Sequence, residues 1–305
     1  MIETNVNEQL ERLKAELRNF EEIAKYLKPL PEDVPQLDGI DVYGGTLALS
    51  GAVGGDHIIY VDFKQRFNLD ARIAQAVAEG RLDVAGNLKR CQKTAGIAMI
   101  DVSGHRVTDA LPAAMLHQAF LLGAVYELDF SGQITRRLFE NLNTRLFNSS
   151  SDHKFMSLIY GEISENAMFR FISAAQPFPM VFSAEHDRFM EVPEELCVSF
   201  PPIGMMPSLD TIDRHHLTPS LLGFKDHYQM NEWLLMGAGD ILVLYTDGLA
   251  EHSQGDTAYF PGRFEQELRK VKALTARQIF DAIEADVRAF GEPSDDISLV
   301  VIKRR

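Results

Sequence analysis

The stretch Ile97-Ala98-Met99-Ile100-Asp101-Val102-Ser103-Gly104-His105 decides how the rest of the chain is interpreted. Its first four residues are apolar without interruption, which is typical of a strand buried on both faces. An aspartate and a glycine turn follow, so the strand would deliver a carboxylate to its own end. Further β-like runs occupy residues 58–63, 156–160, 168–172, 241–245 and 297–302. These runs predict sheets in the centre of the fold.

Helical periodicity appears between these runs. It predicts helices over residues 70–91, 108–126, 133–147 and 275–290. In the last segment, Thr275 and Gln278 have the spacing of a capping box, in which two side chains satisfy free amide donors at the helix start. Strands and helices do not alternate strictly, which favours a layered α+β fold over a βαβ fold.

The N-terminal segment has an a/d heptad pattern formed by Leu10, Leu13, Leu17, Phe20, Ala24 and Leu27. Two interpretations remain open, a coiled-coil seam that makes a homodimer through residues 5–27 and an amphipathic helix packed on its own domain. The prolines from Pro29 to Pro35 must end this helix. We therefore predict a helix over 1–28, a linker over 29–40 and one domain over 41–305.

The charge balance excludes a nucleic-acid binder and favours a small cationic partner such as a metal ion. The chain of 305 residues has 30 basic and 44 acidic residues and a net charge of −14, whereas a phosphate backbone needs clustered Lys and Arg. Only two cysteines and no signal-peptide pattern are present, so we expect a cytoplasmic protein. Residues 110–126 are apolar but interrupted by Pro112, His117 and Gln118, so no membrane span is predicted.

Acidic residues mark the ends of four predicted strands. They are Asp56, Asp101, Asp247 and the pair Asp295-Asp296, each beside residues that permit a tight turn. Each motif alone is ordinary turn chemistry. Four of them in one chain predict carboxylates that meet at one point, where their mutual repulsion requires a cation. Hard oxygen ligands suit Mg²⁺ or Mn²⁺ better than zinc.

At these residues the chain resembles the bacterial stress-response and sporulation branch of the metal-dependent serine/threonine phosphatases, the protein phosphatase 2C superfamily. The resemblance runs from about Phe20 to Arg305, in matching order and approximate spacing. The motifs that carry it are residues 27–35, Gly54-Gly55-Asp56, Asp101-Val102-Ser103-Gly104-His105, residues 173–179, Pro202-Ile203-Gly204, residues 244–251 and Asp295-Asp296-Ile297-Ser298-Leu299.

The resemblance implies a central antiparallel β-sandwich flanked by helices on both faces, with two Mn²⁺ or Mg²⁺ ions at one end. Asp56 and Asp101 would hold the metal pair, and the backbone carbonyl of Val102 would complete one coordination sphere. Asp247 and Asp295 would ligate one ion from the other side. Asp295 is preferred to Asp296 as the ligand. Asp296 would then contact the ligating residues rather than the metal ion.

Two residues of the second motif have open roles. His105 either donates a proton to the leaving serine oxygen or makes a structural hydrogen bond. Arg106, where the family usually has glycine, either contacts a substrate phosphate or pairs with Asp109. A third departure is Gln176, which replaces a histidine common in the family and is expected to leave the metal centre untouched.

The function implied is dephosphorylation of serine or threonine in a regulatory phosphoprotein, with an anti-sigma-factor antagonist as the expected substrate. An upstream activator protein is expected to act through the N-terminal helix or by binding directly. The long spacing between the first two motifs predicts an insertion over 64–95, either a lid or docking surface or a peripheral helix that covers the sheet. The alternative function is a catalytically silent scaffold that binds a signalling partner.

Overall fold

A computed structural model of the chain describes residues 2–25, 28–49, 54–103, 110–149, 155–209 and 219–305. The helices in these ranges are α1 Ile2–Lys25, α2 Phe63–Arg66, α3 Leu69–Ala78, α4 Leu82–Cys91, α5 Ala110–Phe130, α6 Arg136–Ser149, α7 Asp247–Ala250, α8 Gly262–Val271 and α9 Ala276–Phe290. The strands are β1 Ile40–Leu47, β2 His57–Asp62, β3 Thr94–Val102, β4 Met156–Ser164, β5 Phe169–Ala174, β6 Met180–Ser183, β7 Arg188–Phe189, β8 Ser199–Phe200, β9 Asn231–Trp233, β10 Ile241–Tyr245, β11 Ser253–Gln254, β12 Thr257–Ala258 and β13 Ile297–Arg304.

The strands form two stacked sheets and one small hairpin. The first sheet has the order β1-β13-β10-β6-β7 and is antiparallel throughout. The second has the order β2-β3-β4-β5-β8, with β9 also paired to β5, and only the short β5–β8 pair is parallel. Strands β11 and β12 form the hairpin. The predicted antiparallel sandwich is confirmed.

Alternate residues of the central strands enter different cores, which explains why these strands are apolar at nearly every position. In β2, Ile58 and Tyr60 pack between the sheets, whereas Ile59 and Val61 face the helices that cover the second sheet. In β13, Val300 lies between the sheets and Val301 faces α8 and α9 on the first sheet. A strand buried on both faces needs apolar residues in both registers. The four-layer arrangement of helices, two sheets and helices follows.

Most predicted elements are present, with two informative differences. The capping box of α9 is formed, since the Thr275 hydroxyl accepts from the Gln278 amide and the Gln278 side chain accepts from the Thr275 amide. Phe63, predicted as strand, instead begins α2, because the Asp62 carboxylate caps that helix by accepting from the Gln65 amide. The segment 70–91, predicted as a single helix, forms two helices. Gly80, with a φ of 74°, lies in the turn between them.

The segment 64–95 lies in the helical layer rather than apart from it. Leu69 and Ala76 of α3, and Val84 and Leu88 of α4, are buried in the core between the second sheet and its helices. Burial of this kind is what a peripheral helical layer over a sheet requires. The structure therefore favours the peripheral interpretation of this insertion over a mobile lid.

Helix α5 is the one helix in the described ranges that is long and apolar enough to cross a membrane, judged by length and composition. Its residues Ala113, Leu116, Phe120, Ala124 and Leu128 are buried against the second sheet, which explains part of its apolar character. A core helix passes the same test of composition as a membrane span. The absence of a membrane span, and a cytoplasmic location, stay predictions.

The first three leucines of the heptad seam in helix α1 are exposed. Leu10, Leu13 and Leu17 are 47%, 62% and 46% exposed. The helix contacts the domain through α5, yet these three leucines are not covered by it. The interpretation in which this seam packs on its own domain is therefore not supported at these positions.

Glu140 of α6 fastens the loop that precedes β9. Its carboxylate accepts hydrogen bonds from the Ser208 hydroxyl, from the Tyr228 amide at 2.7 Å and from the Lys225 ammonium at 3.2 Å. The Lys225 side chain is 2% exposed, and its Nζ lies 3.4 Å from the centre of the Tyr228 ring. Burial raises the pKa of Glu140, but these hydrogen bonds and the Lys225 charge outweigh it and hold the pKa below its usual value.

Candidate metal centre

The antiparallel register brings the four acidic motifs to one end of the sandwich. Asp56 directly precedes β2, and Asp101 lies near the end of β3, whose Ile100 pairs with His57. In the other sheet, Asp247 follows β10 and Asp295-Asp296 precedes β13, and Tyr245 pairs with Leu299. In antiparallel neighbours the start of one strand lies beside the end of the next. The two sheets therefore contribute two motifs each.

Thr246 connects the two sheets at this end. Its hydroxyl donates to Asp56 Oδ2 at 2.8 Å and accepts from the Ser298 amide at 2.9 Å, and its own amide donates to the Ser298 carbonyl at 3.1 Å. Thr246 and Ser298 are fully buried. The Asp56 side chain is thereby held at a fixed orientation across the inter-sheet gap. Thr246 was not singled out from the sequence, although it immediately precedes Asp247.

Asp101 is held from the side by neighbouring strands. The Ser157 hydroxyl of β4 donates to Asp101 Oδ2 at 3.2 Å, and Gln176 Nε2 donates to the Ser157 oxygen at 2.9 Å. Gln176 is 4% exposed, and its Oε1 has no hydrogen-bond partner in the described part of the chain. Gln176 therefore contacts the centre indirectly, through Ser157, and the expectation that its replacement of histidine leaves the metal centre untouched stays a prediction. A serine within the apolar run of β4 was the available signal for this contact.

Asp296 has a different role from Asp295. Its two carboxylate oxygens accept hydrogen bonds from the Leu49 amide at 2.7 Å and from the Gly55 amide at 2.8 Å. It is buried to 3% exposure, and a Cβ on Gly54 would lie 1.9 Å from its Oδ2, so only glycine fits there. Asp296 therefore fixes the backbone beside Asp56. This arrangement agrees with the preference for Asp295 as the ligand.

The pKa values of the central carboxyls are raised. Burial, and then the charge of Asp101, raise the pKa of Asp56 well above its usual value, against the opposing hydrogen bond from Thr246. Burial, and then the charges of Asp247 and Asp295, raise the pKa of Asp101 to about 7. Burial and Asp295 also raise the pKa of Asp247. These three groups lie in a field of like charge that a bound cation would relieve.

A histidine pair, His57 buried and His117 half-buried, lies beside Asp56 without supplying that cation. His57 Nε2 and His117 Nδ1 are 2.7 Å apart, which joins β2 to α5. Burial and the partner ring lower the pKa of His57 to about 3, and burial and the Arg66 charge lower that of His117 to about 4. Both rings are therefore neutral at pH 7 and do not offset the carboxylate charge.

The donor set fits a hard divalent cation. In the described ranges no three His, Cys, Asp or Glu side chains form a ready-made metal-holding group, so the acids are electrostatic neighbours rather than a closed coordination shell. The donors are carboxylate oxygens, which Mg²⁺ and Mn²⁺ prefer. Val102 is buried at the end of β3, where its backbone is close to Asp101 in sequence. His105 and Arg106 lie outside the described residues.

The cysteines do not belong to this site. The Cys91 thiol is buried and donates to the Gly132 carbonyl at 3.4 Å, and burial raises its pKa to about 12. Cys197 is half-buried near the inter-sheet core. A thiol held in its protonated form is a poor nucleophile. Cys91 is therefore a buried residue with no catalytic role in this site.

The fold has counterparts among solved structures. The PP2C domain of SiaA from Pseudomonas aeruginosa matches with a TM-score of 0.63 and 15% identity over 97% of this chain and 98% of that one. The RsbU and RsbW domains of Rv1364c from Mycobacterium tuberculosis match with a TM-score of 0.59 and 19% identity over 89% of this chain and 62% of that one. RsbX in complex with magnesium matches with a TM-score of 0.50 and 13% identity over 89% of this chain and 98% of that one. No curated protein sequence matches the chain.

These likenesses define the fold as that of the PP2C phosphatases, to which the four acidic motifs also point. The family model for Stage II sporulation protein E (SpoIIE) matches residues 92–305. Since this match covers more than two thirds of the chain, the chain belongs to the SpoIIE family. The chain spans about three fifths of the length of the Rv1364c structure that it matches.

Proposed function

We propose that the protein is a Mn²⁺- or Mg²⁺-dependent phosphatase that removes phosphate from serine or threonine of a regulatory phosphoprotein. The observation that carries the proposal is the convergence of Asp56, Asp101, Asp247 and Asp295 at one end of a PP2C-type sandwich. Burial and neighbouring carboxylate charges there raise the pKa of Asp56, Asp101 and Asp247. Ordinary folding would keep such groups apart, because each like charge costs stability.

The residues of the chain have separable tasks in this mechanism. Asp56, Asp101, Asp247 and Asp295, with the carbonyl of Val102, would hold two divalent cations, which supply water activation and neutralise phosphoryl charge when bound. Thr246 and Ser157 hold Asp56 and Asp101 in place. Asp296 fixes the backbone at Gly55. No cysteine nucleophile is needed, which agrees with the buried Cys91 thiol.

The proposed substrate rests on the family resemblance, because the fold alone does not specify a substrate. By resemblance to the sporulation and stress-response branch, we propose a phosphorylated anti-sigma-factor antagonist, with an upstream activator that acts on α1 or on the domain. His105 as proton donor and Arg106 as phosphate contact stay predictions, since both lie outside the described residues.

Phosphate release from a purified phosphorylated anti-sigma-factor antagonist tests the proposal. We expect release with Mn²⁺ or Mg²⁺ and loss of release with EDTA, because the carboxylates alone repel a phosphate. Calorimetry should detect Mn²⁺ binding to the same preparation. Hydrolysis of p-nitrophenyl phosphate separates substrate choice from chemistry. No Mn²⁺ binding together with no hydrolysis of either substrate would establish the scaffold alternative instead.

A homodimer through residues 5–27 gives a separate prediction. Leu13 and Leu17 are exposed on the seam of α1, so we expect a second copy of the chain to cover them. L13K/L17K should convert a dimer to a monomer in sedimentation equilibrium. A15K/N19K adds the same two charges outside the seam and should remain dimeric. Equal masses for the two variants would contradict this prediction.

A further inference from the structure

A cavity of about 630 Å³, here called the distal pocket, opens at the end of the second sheet away from the metal centre. Its walls come from the last turn of α4, the start of β3, the end of β4 and the start of β5. Thr94 of β3 lines it, and Asp101 lies seven positions further along that strand, a span of roughly 23 Å. The distal pocket is therefore distinct from the acidic site.

The charge of the distal pocket is opposite to that of the chain. Lys89, Arg90, Lys93 and Arg170 line it, against only two acids, Glu162 and Glu165. The whole chain has a net charge of −14. A local excess of cations within such a chain gives this cavity a potential that attracts anions.

Arg170 has hydrogen-bonding capacity that the described residues do not use. No described group accepts a hydrogen bond from its guanidinium, and its buried Nε has an ion-pair partner but no hydrogen-bond partner. The nearest acid is Glu232, 3.5 Å from Nε, outside hydrogen-bond geometry. The side chain is 27% exposed, so most of it is enclosed. A guanidinium carries five donors in a planar fork, which matches the oxygens of phosphate or carboxylate.

The two acidic residues that line the pocket, Glu162 and Glu165, do not accept hydrogen bonds from the Arg170 guanidinium. Glu162 is buried, accepts from the Tyr160 hydroxyl at 2.8 Å and pairs with Arg170 in the β4–β5 register. It therefore keeps a countercharge near Arg170 without taking its hydrogen bonds. Glu165 is 3.8 Å from Lys93 Nζ, and that lysine side chain is 74% exposed. Such an exposed pair is weak and can open toward a ligand.

The helix end in the wall does not repel an anion strongly. The Arg90 carbonyl at the end of α4 already accepts from the Lys93 amide and from the Thr94 hydroxyl, each at 3.0 Å. Met168 and Cys91 add apolar surface to the cavity. A volume of this size lies in the range of about 300–1,000 Å³ that holds small ligands. The lining therefore suits a molecule with an anionic end and an organic body.

We propose that the distal pocket binds a small organic phosphate, with Arg170 as the bidentate contact and Lys89, Arg90 and Lys93 as charge partners. The site lies outside the metal centre and needs no metal.

Calorimetry with ADP on metal-free protein in EDTA tests the proposal, because without divalent ions the acidic site repels the nucleotide. Pyrophosphate is the second probe and tests whether the organic body contributes. We expect saturable binding of ADP, weakened about tenfold or more by R170K and by K89Q/K93Q. K270Q/R288Q removes two exposed charges from α8 and α9 and should bind ADP as the unaltered chain does.

The lysine variants and D247N show which results would support or contradict ADP binding at the distal pocket. K89Q/K93Q alters exposed side chains only, so it should fold even if R170K does not. Undetectable ADP binding to the unaltered chain, or equal affinity in K89Q/K93Q, would overturn the proposal. The variant D247N should bind ADP normally, so a failure of the phosphatase proposal and a failure of this one are distinguishable.

Discussion

Replacing Asp101 by Asn should reduce metal-dependent phosphate release by about a hundredfold or more, since even groups that only support metal ligands cost 10–100-fold when removed. Asp101 lies between Asp247, Asp295 and Asp296, whose charges all act on it. Asparagine keeps the shape and the Ser157 contact but removes the charge that attracts a cation. Steady-state assays across a Mn²⁺ titration measure the loss, and D247N should behave in the same way.

The fold should persist in D101N, because the substitution removes a half-buried charge that Asp247, Asp295 and Asp296 repel. Thermal unfolding of the metal-free protein should show a midpoint no lower than that of the unaltered chain. Asp281 on the exposed face of α9 offers a matched control, and D281N should keep full activity. Undiminished turnover in both D101N and D247N would refute the assignment of the site.

Asp295 and Asp296 can be separated by the same substitution. D295N should lower Mn²⁺ affinity, because we assign that carboxylate to the metal. D296N should lower stability as well, because both of its oxygens accept backbone hydrogen bonds, from Leu49 and Gly55. A larger loss of Mn²⁺ affinity in D296N than in D295N would reverse the assignment.

Replacing Glu140 by Ala should lower the free energy of unfolding by about 3–5 kcal/mol, the range for breaking a buried ion pair. The change leaves the Lys225 ammonium, 2% exposed, without its carboxylate, and leaves the Tyr228 amide and Ser208 hydroxyl without this acceptor. Urea denaturation measures the loss. E284A breaks an exposed pair with Arg288 on α9 and should cost less than about 1 kcal/mol.

The contribution of Glu140 also depends on pH. Because its pKa is lower in the folded than in the unfolded protein, its stabilisation is present above the unfolded pKa. It is lost as the pH falls through the lowered folded pKa. E140A should therefore remove part of the acid-induced loss of stability seen in the unaltered chain. A loss below about 1 kcal/mol at pH 7 in E140A would show that the loop before β9 is held by other contacts.

Part of the fold could not be predicted from the sequence, for identifiable reasons. Strand β1 contains Gly44 and Gly45 and has no apolar run, yet it pairs with β13 along its whole length. Glycine is required there because a Cβ on Gly44 would lie 2.4 Å from the Leu299 carbonyl oxygen. Such a strand is defined by its neighbour rather than by its own propensity. Similarly, only the turn at Gly80 divides the predicted helix 70–91.

The sequence by itself determined the buried strands, the capped helix α9 and the set of acidic turn motifs, because apolar periodicity and turn chemistry act over a few neighbouring residues. Only the tertiary structure decided which residues hold those acids in place. The Thr246 hydroxyl reaches Asp56 across 190 residues of chain, and Gln176 reaches Asp101 through Ser157. It also decided that Asp296 is occupied by backbone amides and that Arg170 faces a cavity. Contacts of this kind depend on how two sheets pack and pair in register, which local sequence does not encode.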